Sequence, residues 1–325
     1  MPAAVRLYSH GGPEALRYEE VEGLEPGAGE VRIRQSWAGI NFVDIYHRTG
    51  LYPLPSLPAC LGVEAAGVID AIGAGVTNLA IGQRVAWAGV PAGGYAKARV
   101  INADRLIVLP DDIEEQAAAA VMLRGITAHM LLHRVWPVRR GDTLLIHAAA
   151  GGLGQILTRW AKRLGAEVIG VVGGERKAEL ARAAGADVVI DRHRADFVAE
   201  VGELTGGRGV NIAYDGVGGE TLLRTLDCVR PFGLIASIGQ ASGTLPDIPL
   251  ADIGPRRSLI LARPSVFAYM ADRESYRTAA AEVFDLLRSG LSVEVDRTFP
   301  LEAAAEGHRA LESGETVGSL LLDLR

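Results

Sequence analysis

One segment, 143–164, constrains this chain more than any other. An apolar run, Thr143-Leu144-Leu145-Ile146, enters His147-Ala148-Ala149-Ala150-Gly151-Gly152-Leu153-Gly154-Gln155, and a helical pattern follows from Ile156. A strand that passes through a glycine turn into a helix is the opening of a dinucleotide-binding unit. The missing Cβ atoms let a pyrophosphate reach backbone N–H groups at the positive end of the helix. Gly154 would let that helix pack closely on its strand. The spelling is not G-x-G-x-x-G, so taken alone the cluster also reads as an ordinary strand-to-helix turn.

The pattern then repeats. Strands are expected at 143–147, 167–172, 187–190, 210–214, 234–238 and 259–262, with helices at 155–164, 177–184, 196–205 and 219–229. Alternation of this kind predicts an α/β, doubly wound parallel sheet. Such a sheet binds ligands beyond the carboxyl ends of its strands. The candidate cofactor residues therefore follow each strand: Gly151, Gly152, Leu153, Gly173, Gly174, Lys177, Arg192, Val217, Ile238 and Gly239.

The end of the second strand separates the two nicotinamide cofactors. An NAD enzyme places an acid there, roughly 20 residues past the turn, to accept from the ribose hydroxyl. Here the strand ends Val171-Val172-Gly173-Gly174, and Arg176, Lys177 and Arg192 follow. Cations suit a 2′-phosphate, so NADPH is expected. Glu175 argues the other way if it turns inward.

The first third reads as a mostly-β domain, with strands at 31–34, 63–72, 84–88 and 95–100 and a stiff loop at Pro53, Pro55 and Pro58. An alanine-rich helix is expected over 113–134, interrupted at Gly125. Residues 279–287 read as a helix and 318–322 as a last strand. A formal charge of −6 over 325 residues argues against nucleic-acid binding, which needs clustered positive charge. The start has no leader pattern, and no apolar run reaches the roughly 18 residues of a membrane span. Cys60 and Cys228 cannot form a disulfide framework or a four-cysteine zinc site. A cytoplasmic protein is expected.

Three segments carry a resemblance: Ala38-Gly39-Ile40-Asn41-Phe42-Val43-Asp44-Ile45-Tyr46, Arg48-Thr49-Gly50-Leu51-Tyr52-Pro53, and Leu61-Gly62-Val63-Glu64-Ala65-Ala66-Gly67. With 148–154 and Arg263-Pro264-Ser265, they resemble the zinc-free medium-chain dehydrogenases/reductases of the quinone oxidoreductase (zeta-crystallin-like) family. The resemblance implies a GroES-like, mostly-β catalytic domain at 1–123 and 264–325, with a Rossmann domain at 124–263 between them. It implies NADPH-dependent quinone reduction by a homodimer. It places Asn41, Tyr46, Tyr52 and Thr127 in the catalytic cleft, and Asn41, Phe42, Thr127, Ala150, Gly152, Leu153, Gly173, Lys177, Gly239 and Arg263 on the cofactor. Asn41 would donate its amide to cofactor or substrate. Tyr46 and Tyr52 would stack on a quinone or donate to a developing oxyanion; packing on a pocket wall is the plainer reading. Zinc relatives use a cysteine near Gly39 and a Gly-His-Glu segment where this chain has Gly62-Val63-Glu64, so no metal site is expected. Arg192 stands where close relatives have tyrosine. Activated alkenes as substrates, a non-catalytic role, and one-electron against hydride transfer all stay open.

Overall fold

A computed structural model describes residues 2–291 and 294–325 of the chain. The chain divides into two compact units, Thr127–Tyr269 and the pair of segments Met1–Ile126 and Met270–Arg325.

The continuous unit holds a six-stranded parallel sheet. Its strands lie in the order Val188–Asp191, Glu167–Val172, Thr143–His147, Val210–Asp215, Val229–Ser237, Ile260–Ala262. The first strand in sequence is central, and strand order reverses beside it, as in doubly wound folds. Helices Gly152–Arg163, Glu175–Ala183, Phe197–Leu204 and Gly219–Thr225 connect the strands. Because both faces are covered, the strands are apolar throughout rather than alternating. Leu144, Leu145 and Ile146 are all buried. Leu145, Ile169, Val171, Ile190, Val201, Ala213 and Ile235 form the core, each large aliphatic contributing roughly 1.5–3 kcal/mol by burial.

The split unit is mostly β. A seven-stranded sheet runs Val295–Pro300, Ser319–Asp323, Glu30–Ile40, Glu64–Ile72, Arg84–Ala88, Ile107–Val108, with Ala98–Asn102 also on Glu30–Ile40. A smaller sheet joins Leu16–Glu20, Ala3–Leu7 and Ala59–Cys60. Val5, Leu7, Ile33, Ile40, Ile69, Trp87, Leu320 and Leu322 pack between them. The late strand Ser319–Asp323 pairs Leu320 with Ile40 and Asp323 with Trp37. Among the described residues no helix is long and apolar enough to cross a membrane.

Some elements differ from expectation. Helix Glu115–His129 passes through Gly125 without a break and continues as a π turn, Met130–Val135. Gly125 marks close packing instead, since a Cβ there would stand 2.6 Å from the Val283 side chain. The strand expected at 95–100 is Ala98–Asn102, with Ala96 in an isolated bridge to Ala4. Helix Gly152–Arg163 begins three residues earlier than the apolar period suggested, because glycines carry no side chain to mark the first turn.

Candidate active site

In the continuous unit the glycine turn has the expected architecture. Ala148 takes a left-handed φ of 51°, which turns the chain out of the strand Thr143–His147. Gly151 caps the helix, its N–H donating to the Ala148 carbonyl at 2.9 Å. The Gln155 amide donates to the Ala150 carbonyl at 2.8 Å and pins the turn. The first-turn N–H groups of an α-helix have no intrahelical acceptor and face an anion. A Cβ on Gly154 would overlap the Ala148 carbonyl oxygen, so the helix sits closely on its strand as expected.

The second strand end is a loop of alternating charge. The Asp191 carboxylate accepts from the N–H groups of Gly174 at 3.0 Å and His193 at 3.1 Å, and those bonds hold it below the usual carboxylate range. Arg192 and His193 border Gly173: a Cβ there would lie 3.1 Å from the His193 ring and 3.3 Å from Arg192 Nε. Glu175 turns outward and pairs with Arg182 at 3.0 Å and Arg194 at 3.4 Å. Two cations therefore occupy the one acid that argued for NAD. Lys177 lies one turn into the same helix, half-buried.

Asp215 and His147 end neighbouring strands, and both are buried. Asp215 Oδ1 accepts from the N–H groups of Val217 at 2.7 Å and Gly218 at 3.0 Å, shaping the loop that carries Val217. His147 Nε2 meets Thr225 Oγ1 at 2.8 Å. Burial lowers this imidazole to about 4, so it is neutral. Since Thr225 Oγ1 donates to the Thr221 carbonyl, His147 donates through Nε2. Gly239 allows a close crossing, since its Cβ would stand 2.7 Å from the Gly216 carbonyl. Arg263 ties this corner together, donating to Ser237 Oγ at 2.9 Å and Gln240 Oε1 at 3.0 Å. Ala150, Gly152, Leu153, Gly173, Gly174, Val217, Ile238 and Gly239 thus gather at the carboxyl ends of the parallel strands, with Arg263 following the last. Thr127 stands in helix Glu115–His129, half-buried. Near it, His129 Nδ1 meets the Tyr269 hydroxyl at 2.9 Å.

In the split unit, Asn41 starts helix Phe42–Thr49, and two carboxylates hold it. Its N–H donates to Asp44 Oδ2 at 2.8 Å, and its amide Nδ2 donates to Glu64 Oε1 at 2.8 Å. One amide hydrogen expected to serve a ligand is therefore given to Glu64. Glu64 is fully buried; its other oxygen accepts from the Leu123 N–H at 2.7 Å, and Arg124 Nη1 lies 3.5 Å from Oε1. Burial raises the Glu64 carboxyl, while the Arg124 charge opposes that shift. Tyr46 and Tyr52 meet edge to face at 5.1 Å, and Phe42 lies 6.3 Å from Tyr46. Tyr46 is buried and Tyr52 exposed, so the three rings form a graded apolar wall.

Motif reading missed the polar residues behind that wall. Tyr95 donates to Asp44 Oδ2 at 3.2 Å and its oxygen meets His308 Nε2 at 3.0 Å. His308 Nδ1 meets Arg48 at 3.2 Å, and Arg48 is paired with Glu312. Asp44, Arg48 and Glu64 stood within the quoted segments, but Tyr95, His308 and Glu312 left no signal.

This geometry matches known proteins along the whole chain. Residues 27–111 match the alcohol dehydrogenase GroES-like domain, and residues 152–285 the family described as zinc-binding dehydrogenase. The quinone oxidoreductase of Pseudomonas aeruginosa is 41% identical over 99% of both chains. A 2-haloacrylate reductase of Burkholderia sp. is 42% identical over 99% of each. The solved Escherichia coli quinone oxidoreductase, complexed with NADPH, superposes with a TM-score of 0.96 at 40% identity, covering 99% of both chains. With that likeness running from end to end, and with a Rossmann sheet in one unit and a GroES-like domain in the other, the chain belongs to the quinone oxidoreductase family of the medium-chain dehydrogenases/reductases.

Proposed function

We propose that this chain is an NADPH-dependent quinone reductase that works without zinc. The observation that carries the reading is full-length likeness, at 40–41% identity, to proteins named quinone oxidoreductase. The residues present fit the cofactor. A glycine turn opens a helix, Gly174 adopts a φ of 97° with open space beside it, and Arg192 stands over the second strand end. In this reading the pyrophosphate lies on Ala150, Gly151, Gly152 and Leu153. Lys177 and Arg192 bind the 2′-phosphate beside Gly173 and Gly174. Val217, Ile238, Gly239 and Arg263 line the remainder, with Asn41, Phe42 and Thr127 toward the nicotinamide. When bound, NADPH supplies the electrons; the protein orients, excludes water and shapes the acceptor's surroundings. Tyr46 and Tyr52 present flat apolar surface to a quinone.

The second reading, an activated alkene as acceptor, is favoured by the equal likeness to the 2-haloacrylate reductase. Following NADPH oxidation with 1,4-benzoquinone or 9,10-phenanthrenequinone, beside a 2-haloacrylate and with NADH in parallel, separates the two. Fast turnover on quinones with NADPH supports the proposal. Turnover confined to the alkene overturns it.

We also propose a cytoplasmic homodimer. Strand Ile260–Ala262 ends the parallel sheet, and Ile260, Leu261 and the nearby Phe232 are exposed. An exposed apolar edge strand is a template for pairing with a second copy about a two-fold axis. Light scattering on Leu261→Lys is expected to report a monomer; an unchanged mass would rule this edge out.

A further inference from the structure

The buried polar residues of the split unit form a directed chain. Arg48 can only donate, so His308 Nδ1, 3.2 Å away, is the acceptor and the ring proton lies on Nε2. That proton points at the Tyr95 oxygen, 3.0 Å away, and the Tyr95 hydrogen is left for Asp44 Oδ2 at 3.2 Å. Every link runs the same way, from the Arg48 cation to the Asp44 carboxylate. Glu312 on Arg48 and the Gly11 carbonyl, accepting from Arg48 Nε at 3.1 Å, fix the far end. Asp44 is fully buried, and its Oδ1 has no hydrogen-bond partner. Glu64 and Arg124 also act on it, and Asp44 in turn raises the Cys60 thiol.

Taking the quinone reductase reading as given, we propose that Asp44 is a positioning residue for the reduction. Its ionised carboxylate, held by the chain from Arg48 through His308 and Tyr95, fixes Asn41 and the start of helix Phe42–Thr49, and its protonation relaxes them.

Burial pushes the Asp44 carboxyl up to about 7, with the Asn41 N–H pulling it down, Glu64 pushing it up, and Tyr95 and Arg124 pulling it down. Its charge therefore changes near neutrality. The ionised form accepts two charge-assisted hydrogen bonds, which are about twice as strong as neutral ones. One of these holds Asn41, and the helix they start carries Phe42 and Tyr46. An aspartate pulled between burial and donors in this way is tuned by its donors more than by solvent.

The test joins a pH profile to a direct titration. kcat/KM for 1,4-benzoquinone with NADPH is measured from about pH 5.5 to 8.5, and carboxyl 13C resonances are followed in aspartate-labelled protein. The expected result is a fall in kcat/KM below neutrality, at the same pH where one resonance titrates. Asp44→Asn removes that resonance and flattens the profile at a value about tenfold lower, the loss of roughly one charge-assisted bond. Tyr95→Phe, which removes a donor to the carboxylate, moves both limb and resonance upward by about one pH unit. An unchanged limb in either variant, or an Asp44 resonance titrating in the ordinary carboxylate range, overturns the proposal. Failure of the quinone reading looks different: no variant turns over quinone at any pH, and the resonance alone then decides whether Tyr95 controls the charge of Asp44.

Discussion

The Glu64 carboxylate occupies the space that a side chain at residue 39 would need. A Cβ built on Gly39 would overlap Glu64 Oε1 and stand 2.8 Å from the Ala119 carbonyl. At this point the chain has a residue without a side chain and an internal ion pair, Glu64 with Arg124. Replacing Gly39 by Ala is expected to cost about 1–3 kcal/mol by overpacking. Glu64→Ala is expected to cost about 3–5 kcal/mol, because Arg124 is left largely buried and without its counter-charge. The double variant is expected to cost less than the sum of the two by about 1 kcal/mol or more. Urea unfolding of the four proteins measures this, and strict additivity would show that the two residues do not compete for the same space.

Cofactor choice is expected to rest on Lys177 and Arg192. Each replaced by Ala is expected to raise KM for NADPH about tenfold, with KM for NADH changed less than about threefold, as for one charge-assisted hydrogen bond to a phosphate. Glu175→Gln tests the opposite side. Because Glu175 is spent on Arg182 and Arg194, the NADPH to NADH preference is expected to shift by less than about threefold. A large loss of NADH activity in that variant would mean that Glu175 reaches the ribose after all.

The buried imidazole of His308 gives a stability signature. Burial holds it at about 3 in the folded state, against about 6.5 unfolded. Between those values the unfolded chain binds the extra proton, so stability is lost as pH falls. His308→Gln removes this proton uptake. Its cost at pH 7 is therefore expected to shrink by about 1.4 kcal/mol per pH unit below about pH 6.5. Denaturant midpoints of both proteins at pH 7 and pH 5 check it. A difference independent of pH would put the proton elsewhere.

Gly154→Ala probes the glycine turn. The added methyl meets the Ala148 backbone oxygen, which cannot move without moving the turn. NADPH affinity is expected to fall about tenfold or more, with a stability loss of about 1–3 kcal/mol. Fluorescence titration with NADPH reads the first quantity; unaltered binding would separate the turn from the cofactor.

Much of the continuous unit was legible in the sequence because its signals are local. Each βα unit lies within some thirty residues, and buried parallel strands show as unbroken apolar runs such as Leu144-Leu145-Ile146. Gly125 misled for a physical reason: a glycine in a helix reads as a break, yet here it serves contact with Val283, far along the chain. The return of the chain to the first domain, expected at 264–325, came from resemblance, because no local period records it. The line from Arg48 to Asp44 was invisible. Tyr95 lies 51 residues from Asp44 and His308 lies 213 from Tyr95, and each looks ordinary among its own neighbours.

The pairing of strand Ser319–Asp323 with Trp37 to Ile40 also sets an order of manufacture. As the chain leaves the ribosome, the early β-strands must wait, incomplete, while all of Thr127–Tyr269 is made. The later unit is contiguous and can fold as it emerges, since domains generally fold as units. The first to be synthesised is thus the last to be finished, and loss of Ser319–Asp323 would spare the nucleotide-type sheet while leaving the β-rich unit open along Glu30–Ile40.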